Sequence, residues 1–219
     1  MTTATDTRLT PAQRAAAAKI ACGIAQPGGV AVLCGPQGVG KTTVLANLIA
    51  DPRLHPLSIE SLDMEAWEAA VAGGRRDFPD IVIADEAHLA SEGGIARLLA
   101  ATRGRRPAAS LVLAGEGRLL TLVSRDSRIE QAIRLRASLR PCTLPESRDL
   151  LAAVSVDAAV AWSMSDAAVL AIHEIAAGIP AAMRRLAELA AVLAAAKPDR
   201  DVTADDIEVI HRRLAPLAA

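Results

Sequence analysis

Aromatic side chains are almost missing. Among 219 residues there are Trp67, Trp162 and Phe78, and no tyrosine. A nucleic-acid surface that stacks bases on aromatic rings is therefore close to excluded, and the core must be built from Ala, Leu, Ile and Val. Cysteine is scarce too: Cys22, Cys34 and Cys142 are odd in number and far apart. That spacing excludes a disulfide framework and points to a reducing, cytoplasmic setting. The four histidines show no metal-ligand spacing. No hydrophobic run is long enough to span a bilayer, since the most apolar late stretch, Leu186 to Ala196, is short and carries Glu188; direct membrane insertion is not expected. The opening MTTATDTRLT holds an acid and no apolar run, which does not read as a secretory leader. A formal net charge of −1 excludes a surface that binds polyanions all over. With 52% hydrophobic and 22% charged residues, the chain is not a disordered one.

What is present reads as an α/β protein. Thr10-Pro11 has the form of an N-cap and first helical residue, opening an Ala-rich helix that ends near Gly23. The glycine-bounded run GGVAVLCG reads as a buried strand, followed by a helix from Lys41 to about Ala50. Further strands are expected at Leu57 to Ile59, Asp80 to Asp85, Ser110 to Ala114 and Leu139 to Leu144, with helices between them. Strands apolar on both faces and separated by helices imply a parallel sheet. After Pro145 the texture becomes helical. Ser165 caps a helix with Val169, Ile172 and Ala176 on one face; Pro180 starts another with Met183, Leu186, Ala190 and Leu193 in register. Thr203, with Asp206 three residues on, caps a last one striped by Ile207, Ile210 and Leu214. The expected organisation is a sheet domain over residues 1–145 and a small helical lid over 146–219.

Gly35-Pro36-Gln37-Gly38-Val39-Gly40-Lys41-Thr42 fits G-x-x-x-x-G-K-[ST] in full, after a strand and before a helix. Glycines let backbone N–H groups turn inward around phosphates, and the helix N-terminus adds its positive end. Lys41 is then expected to reach the β- and γ-phosphates of ATP, and the Thr42 hydroxyl to ligate Mg²⁺. Of 24 basic residues only Lys19, Lys41 and Lys197 are lysines. A chain that uses arginine nearly everywhere thus has lysine where a compact point charge suits phosphate. At the end of the third strand, Asp85 is expected to support the Mg²⁺ shell and Glu86 to orient and polarise the attacking water. Asp85-Glu86-Ala87-His88 also spells a helicase signature, but the chain is too short for two helicase motor domains; His88 is read as a local hydrogen-bonding residue.

Taken together, GPQGVGKTT, IVIADEAHLA, SLVLAGEGRLL, the Arg-rich helix SRIEQAIRLRASL, the strand RPCTL and AAGIPAAMRRL resemble the AAA+ ATPases. Within them they resemble the ExeA/GspA-type secretion ATPases and the TniB- and MuB-like transposition ATPases. The resemblance implies a five-stranded parallel P-loop sheet in the order 5-1-4-3-2 with a C-terminal helical lid, and ATP held between them by Gly35 to Thr43. It also implies a homo-oligomer in the presence of ATP, acting on a protein partner in a larger assembly or, as the alternative, on nucleic acid. Some positions depart from the pattern. Glu116 stands where the subgroup carries a neutral polar γ-phosphate sensor, and Ala181 where the lid motif has arginine, leaving Arg184 or Arg185 as substitutes. Ala132 falls where the finger arginine is expected, leaving Arg128, Arg134 and Arg136.

Residues 103–140 hold nine arginines and only Glu116, Asp126 and Glu130 as acids. A solvated face is one reading. The others are arginines acting in trans on a neighbour's nucleotide, and a track for a nucleic-acid backbone. Three roles therefore stay open: an ATPase driving a protein complex, a DNA-binding regulator of the transposition type, and an adaptor gated by ATP binding alone.

Overall fold

The computed structural model describes residues 9–104, 107–157, 164–196 and 201–214. The side chain of Leu214, and Trp162, Arg105, Arg106 and Lys197 entirely, lie outside the described part. The chain divides into two compact units, Met1–Arg140 and Pro141–Ala219.

In the first unit, α1 (Pro11–Ile24) leads to β1 (Val30–Cys34), α2 (Lys41–Ile49), β2 (Ile59–Asp63), α3 (Met64–Ala72), β3 (Ile81–Asp85), α4 (Gly94–Arg103), β4 (Ser110–Gly115), α5 (Gly117–Arg125), α6 (Ser127–Ala132) and β5 (Ile133–Ser138). The five strands form one sheet, β2-β3-β4-β1-β5, with every neighbouring pair parallel. This is the expected order read from its other edge. Alternation along the strands sorts two cores. Val30 and Val32 of β1, Val82 and Ala84 of β3, and Leu111 and Leu113 of β4 pack on one face with Trp67, Leu98 and Leu119. Ala31 and Leu33, Ile81 and Ile83, and Val112 and Ala114 pack on the other with Ile20, Leu45 and Leu48. Because both faces are covered, the three central strands show no polar face, which is why they were legible as uninterrupted apolar runs.

The edges were less legible. β2 is Ile59–Asp63 rather than Leu57 to Ile59, and three of its five residues are Glu60, Ser61 and Asp63. An edge strand tolerates such polarity because one side of its backbone has no strand to join. The fifth strand is Ile133–Ser138 rather than Leu139 to Leu144. The Arg-rich segment is thus a short helix, α6, followed directly by a strand. Ile133, Leu135 and Ala137 are the more buried residues, alternating with exposed Arg134, Arg136 and Ser138. Leu144, expected to end a strand, begins a helix.

The second unit is helical: α7 (Leu144–Asp157), α8 (Asp166–Ile175), α9 (Pro180–Ala196) and α10 (Ala204–Leu214). Its core gathers Leu151, Ala168, Ile172, Met183, Ala187, Ala190 and Ile207. The caps form as the sequence suggests. The Ser165 hydroxyl accepts from the Ala168 N–H at 3.1 Å, and the Asp206 carboxylate accepts from the Thr203 N–H and hydroxyl at 3.0 and 2.8 Å. Among the described residues no helix is long and apolar enough to cross a membrane.

The two large aromatics of the first unit do one structural job. Trp67 is fully buried, stacks on Phe78 with centroids 5.9 Å apart, and donates its indole N–H to the Ile83 carbonyl at 2.8 Å. Trp67→Ala is expected to destabilise the protein by about 3–5 kcal/mol, measured by denaturant unfolding, with Trp67→Phe losing less.

Candidate functional site

In an all-parallel sheet the C-terminal ends of all strands face one way, and loops leaving them converge. β1 ends at Cys34 and runs into Gly35–Gly40, and α2 begins at Lys41. The Gly35 N–H donates to the Gly115 carbonyl at the end of β4, 3.2 Å away. Gly38 and Gly40 take φ of +74° and +99°, the left-handed region that side chains resist. Their freedom lets the loop curl back over the start of α2.

Lys41 is 6% exposed. Its Nζ donates to the carbonyls of Gly35 at 3.0 Å and Pro36 at 3.2 Å. An ammonium has three donors, and among the described residues no carboxylate pairs with this one. A buried cation met only by carbonyl dipoles fits a triphosphate as its missing counter-charge. Next to it, burial pushes the Cys34 thiol above its ordinary pKa, against the opposing pull of Lys41 and the Gly35 N–H.

The acidic pair sits at the end of β3. The Thr42 hydroxyl donates to Asp85 Oδ2 at 3.1 Å, and the Glu86 N–H donates to Asp85 Oδ1 at 2.9 Å. Asp85 therefore ties the first turn of α2 to the residue that follows β3. A hydroxyl beside a carboxylate is a set of hard oxygen donors, which suits Mg²⁺. Glu86 has φ +51°, a conformation costing a non-glycine residue on the order of 1–3 kcal/mol. Its carboxylate is half-exposed beside the loop.

The other sequence-named residues fall in different places. Glu116 is the N-cap position of α5 and makes no capping hydrogen bond, and its carboxylate lies in the same cluster as Glu86 and His88. Arg128 pairs with Asp126 at 2.8 Å, Arg134 donates to Gln26 Oε1 at 2.8 Å, and Arg136 pairs with Glu130 at 2.6 Å. Val30 lies opposite Ile133, Ala31 opposite Leu135, and Cys34 opposite Ser138. Arg134 is thus the extra residue of a bulge at the end of β5 far from the P-loop of its own chain. Arg184 is exposed on α9 in the second unit. His88 does not act as a local hydrogen-bonding residue through Nδ1, which is buried without a hydrogen-bond partner.

Gln13 was missed. Its Oε1 accepts from the Thr10 N–H at 3.0 Å, completing a capping box with the Thr10 hydroxyl, while its Nε2 donates to the Val39 carbonyl at 3.1 Å. The side chain is buried, and a Cβ on Gly40 would collide with its amide. Thr10-x-x-Gln13 signals the box in the sequence; nothing there signals the reach to Val39, 26 residues on.

Solved structures with this architecture include the RuvB P216G mutant of Thermotoga maritima, with TM-score 0.69 and 17% identity over 94% of this chain and 74% of that one. The Orc1 protein of Aeropyrum pernix in complex with DNA matches with TM-score 0.65 and 18% identity over 94% and 66%. Hsp104 in its closed state with casein matches with TM-score 0.65 and 15% identity over 94% of this chain and 43% of that one. The fold is that of the AAA+ P-loop ATPases. No family model and no curated protein sequence matches the chain. Gln13→Ala removes the tie between α1 and the glycine-rich loop at Val39. It is expected to weaken binding of a fluorescent ATP analogue several-fold and to lower stability by about 1 kcal/mol, the two read separately by titration and by denaturant unfolding.

Proposed function

We propose that this protein is an AAA+ ATPase that binds and hydrolyses ATP with Mg²⁺ and uses the cycle to drive assembly or remodelling of a protein complex. The observation that carries the reading is the Thr42–Asp85 hydrogen bond. It brings the start of α2, just after the glycine-rich loop, against Asp85, 43 residues later in the chain, and this supports reading the loop and the acidic pair as one site. Residues 1–145 are assigned as the ATPase core and 146–219 as the lid.

Lys41, still protonated, exchanges its hydrogen bonds to the carbonyls of Gly35 and Pro36 for hydrogen bonds to the β- and γ-phosphate oxygens. N–H groups of Gly38 to Thr43 cradle the same oxygens at the positive end of α2. Thr42 and Asp85 would hold Mg²⁺, which would supply positive charge to offset that of the phosphate oxygens. Glu86 accepts a proton from a water molecule as that oxygen bonds to the γ-phosphorus. The bond from γ-phosphorus to the β-bridging oxygen breaks, and ADP and phosphate leave. Glu116 is assigned to sense the γ-phosphate, with Arg184 contributing from the lid. Arg128 and Arg134 are assigned to a neighbouring subunit's nucleotide, in a homo-oligomer formed with ATP; their present partners, Asp126 and Gln26, lie outside the P-loop.

The structural neighbours include a Holliday junction branch migration motor, a DNA-bound protein and a complex with casein, so the fold does not select the partner. A protein partner is favoured because rings on which bases could stack are almost missing and the net charge is −1, and because Arg136 already has a carboxylate partner in Glu130. The second reading, an ATP-dependent DNA-binding regulator, rests on the remaining arginines of residues 103–140. Duplex DNA should leave turnover unchanged under the first reading; stimulation that collapses as salt is raised would favour the second.

Lys41→Ala should abolish binding of a fluorescent ATP analogue, and unchanged affinity would refute the phosphate site. Glu86→Gln should keep binding and lose on the order of 10²-fold in phosphate release; wild-type turnover would place the base elsewhere.

A further inference from the structure

Beside the phosphate loop lies a second set of ligands of different chemistry. Glu86, His88 and Glu116 each bring one ligand atom to within 4.8 Å of the others. They come from the loops leaving β3 and β4, and the backbone holds them there. The Arg118 guanidinium donates to the His88 carbonyl at 2.5 Å. Gly115 leaves room for the ring: a Cβ on it would stand 2.9 Å from the His88 backbone nitrogen and 3.2 Å from Nδ1.

The imidazole is the informative member. Its Nδ1 is buried and makes no hydrogen bond, an arrangement that burial penalises. Glu86 Oε2 stands 3.4 Å away. That is the ligand-to-ligand edge of a tetrahedral site, since ligands about 2.0–2.1 Å from a central ion are roughly 3.4 Å apart. A nitrogen donor with two carboxylates selects Zn²⁺ and its late first-row neighbours over Mg²⁺, which prefers oxygen alone. The hard-oxygen pair Thr42 and Asp85 remains for Mg²⁺.

We propose that Glu86, His88 and Glu116 form a site for Zn²⁺ or a related late first-row dication, completed by water, and that its occupancy inhibits hydrolysis by engaging the Glu86 carboxylate. The inhibitory half rests on the assignment of Glu86 as the water-activating base; the binding half does not. A bound dication replaces the missing partner of Nδ1 and offsets the clustering of two carboxylates. It also removes from Glu86 the lone pair that would take the proton of water.

The test uses the full chain without an affinity tag, in a Cys22→Ser background that removes the exposed thiol. Zn²⁺ binding is measured by calorimetry without Mg²⁺ or nucleotide, and Co²⁺ coordination by its visible absorption. One ion per chain is expected. His88→Ala, His88→Gln and Glu116→Gln should each lose more than about 100-fold in affinity, beyond the roughly 10–100-fold that a supporting group outside the ligands costs. Lys41→Ala should bind the ion as the parent does. Circular dichroism checks that each variant is folded, and the isosteric Gln variants keep the test open if Ala unfolds. His88 variants binding Zn²⁺ as tightly as the parent would overturn the site. In a second arm Zn²⁺ is added to Mg·ATP hydrolysis: the parent should be inhibited and His88→Gln resistant. Turnover that persists at saturating Zn²⁺ would overturn the inhibitory half. A parent with no hydrolysis at all would refute the ATPase reading while the binding arm still decides the metal site.

Discussion

A buried ammonium with only carbonyl oxygens for company is the constraint on which this structure turns. Taking a cation out of water is expensive, and two dipoles return only part of that cost. The Lys41 side chain is nevertheless held there, folded onto Gly35 and Pro36. Everything around it is arranged to permit that burial. β1 ends in a loop whose glycines turn the backbone over the start of α2, and Gln13 braces the loop from α1 through Val39. Under the proposed function, a phosphate ligand would supply the missing negative charge.

The rest of the site follows from the sheet. Parallel strands place the ends of β1, β3 and β4 side by side, so the phosphate loop, the acidic pair and Glu116 meet without any long-range motif. Asp85 uses both carboxylate oxygens to join them, one toward Thr42 and one toward the backbone of Glu86. Glu86 in turn is held in a left-handed conformation, strain of the kind that surrounding structure must impose and that clusters at functional sites. The same crowding leaves His88 Nδ1 without a hydrogen bond, 3.4 Å from Glu86 Oε2, in a cluster that also includes Glu116.

The central strands and the glycine-rich loop between β1 and α2 were legible because their information is contiguous. Uninterrupted apolar runs mark strands covered on both faces, and the loop needs its residue types at fixed spacing in one stretch. β5 was misread for a definite reason. Ile129, Ile133 and Ala137 recur at helical spacing, while Ile133, Leu135 and Ala137 alternate as in a strand, and both patterns fit the same residues. The edge position, with arginines facing solvent, settled it as a strand, and that moved Arg134 to the far end of the sheet. The Gln13 brace and the ligand cluster at His88 were not legible, because each joins residues that only the folded sheet brings together.

The most direct test is a crystal structure with Mg²⁺ and a non-hydrolysable ATP analogue. Expected are the β- and γ-phosphates within hydrogen-bond reach of Lys41 Nζ and the N–H groups of Gly38 to Thr43, with Mg²⁺ on Thr42 Oγ1. Analogue bound elsewhere, or Lys41 still resting on Gly35 and Pro36 at saturating analogue, would contradict the assignment.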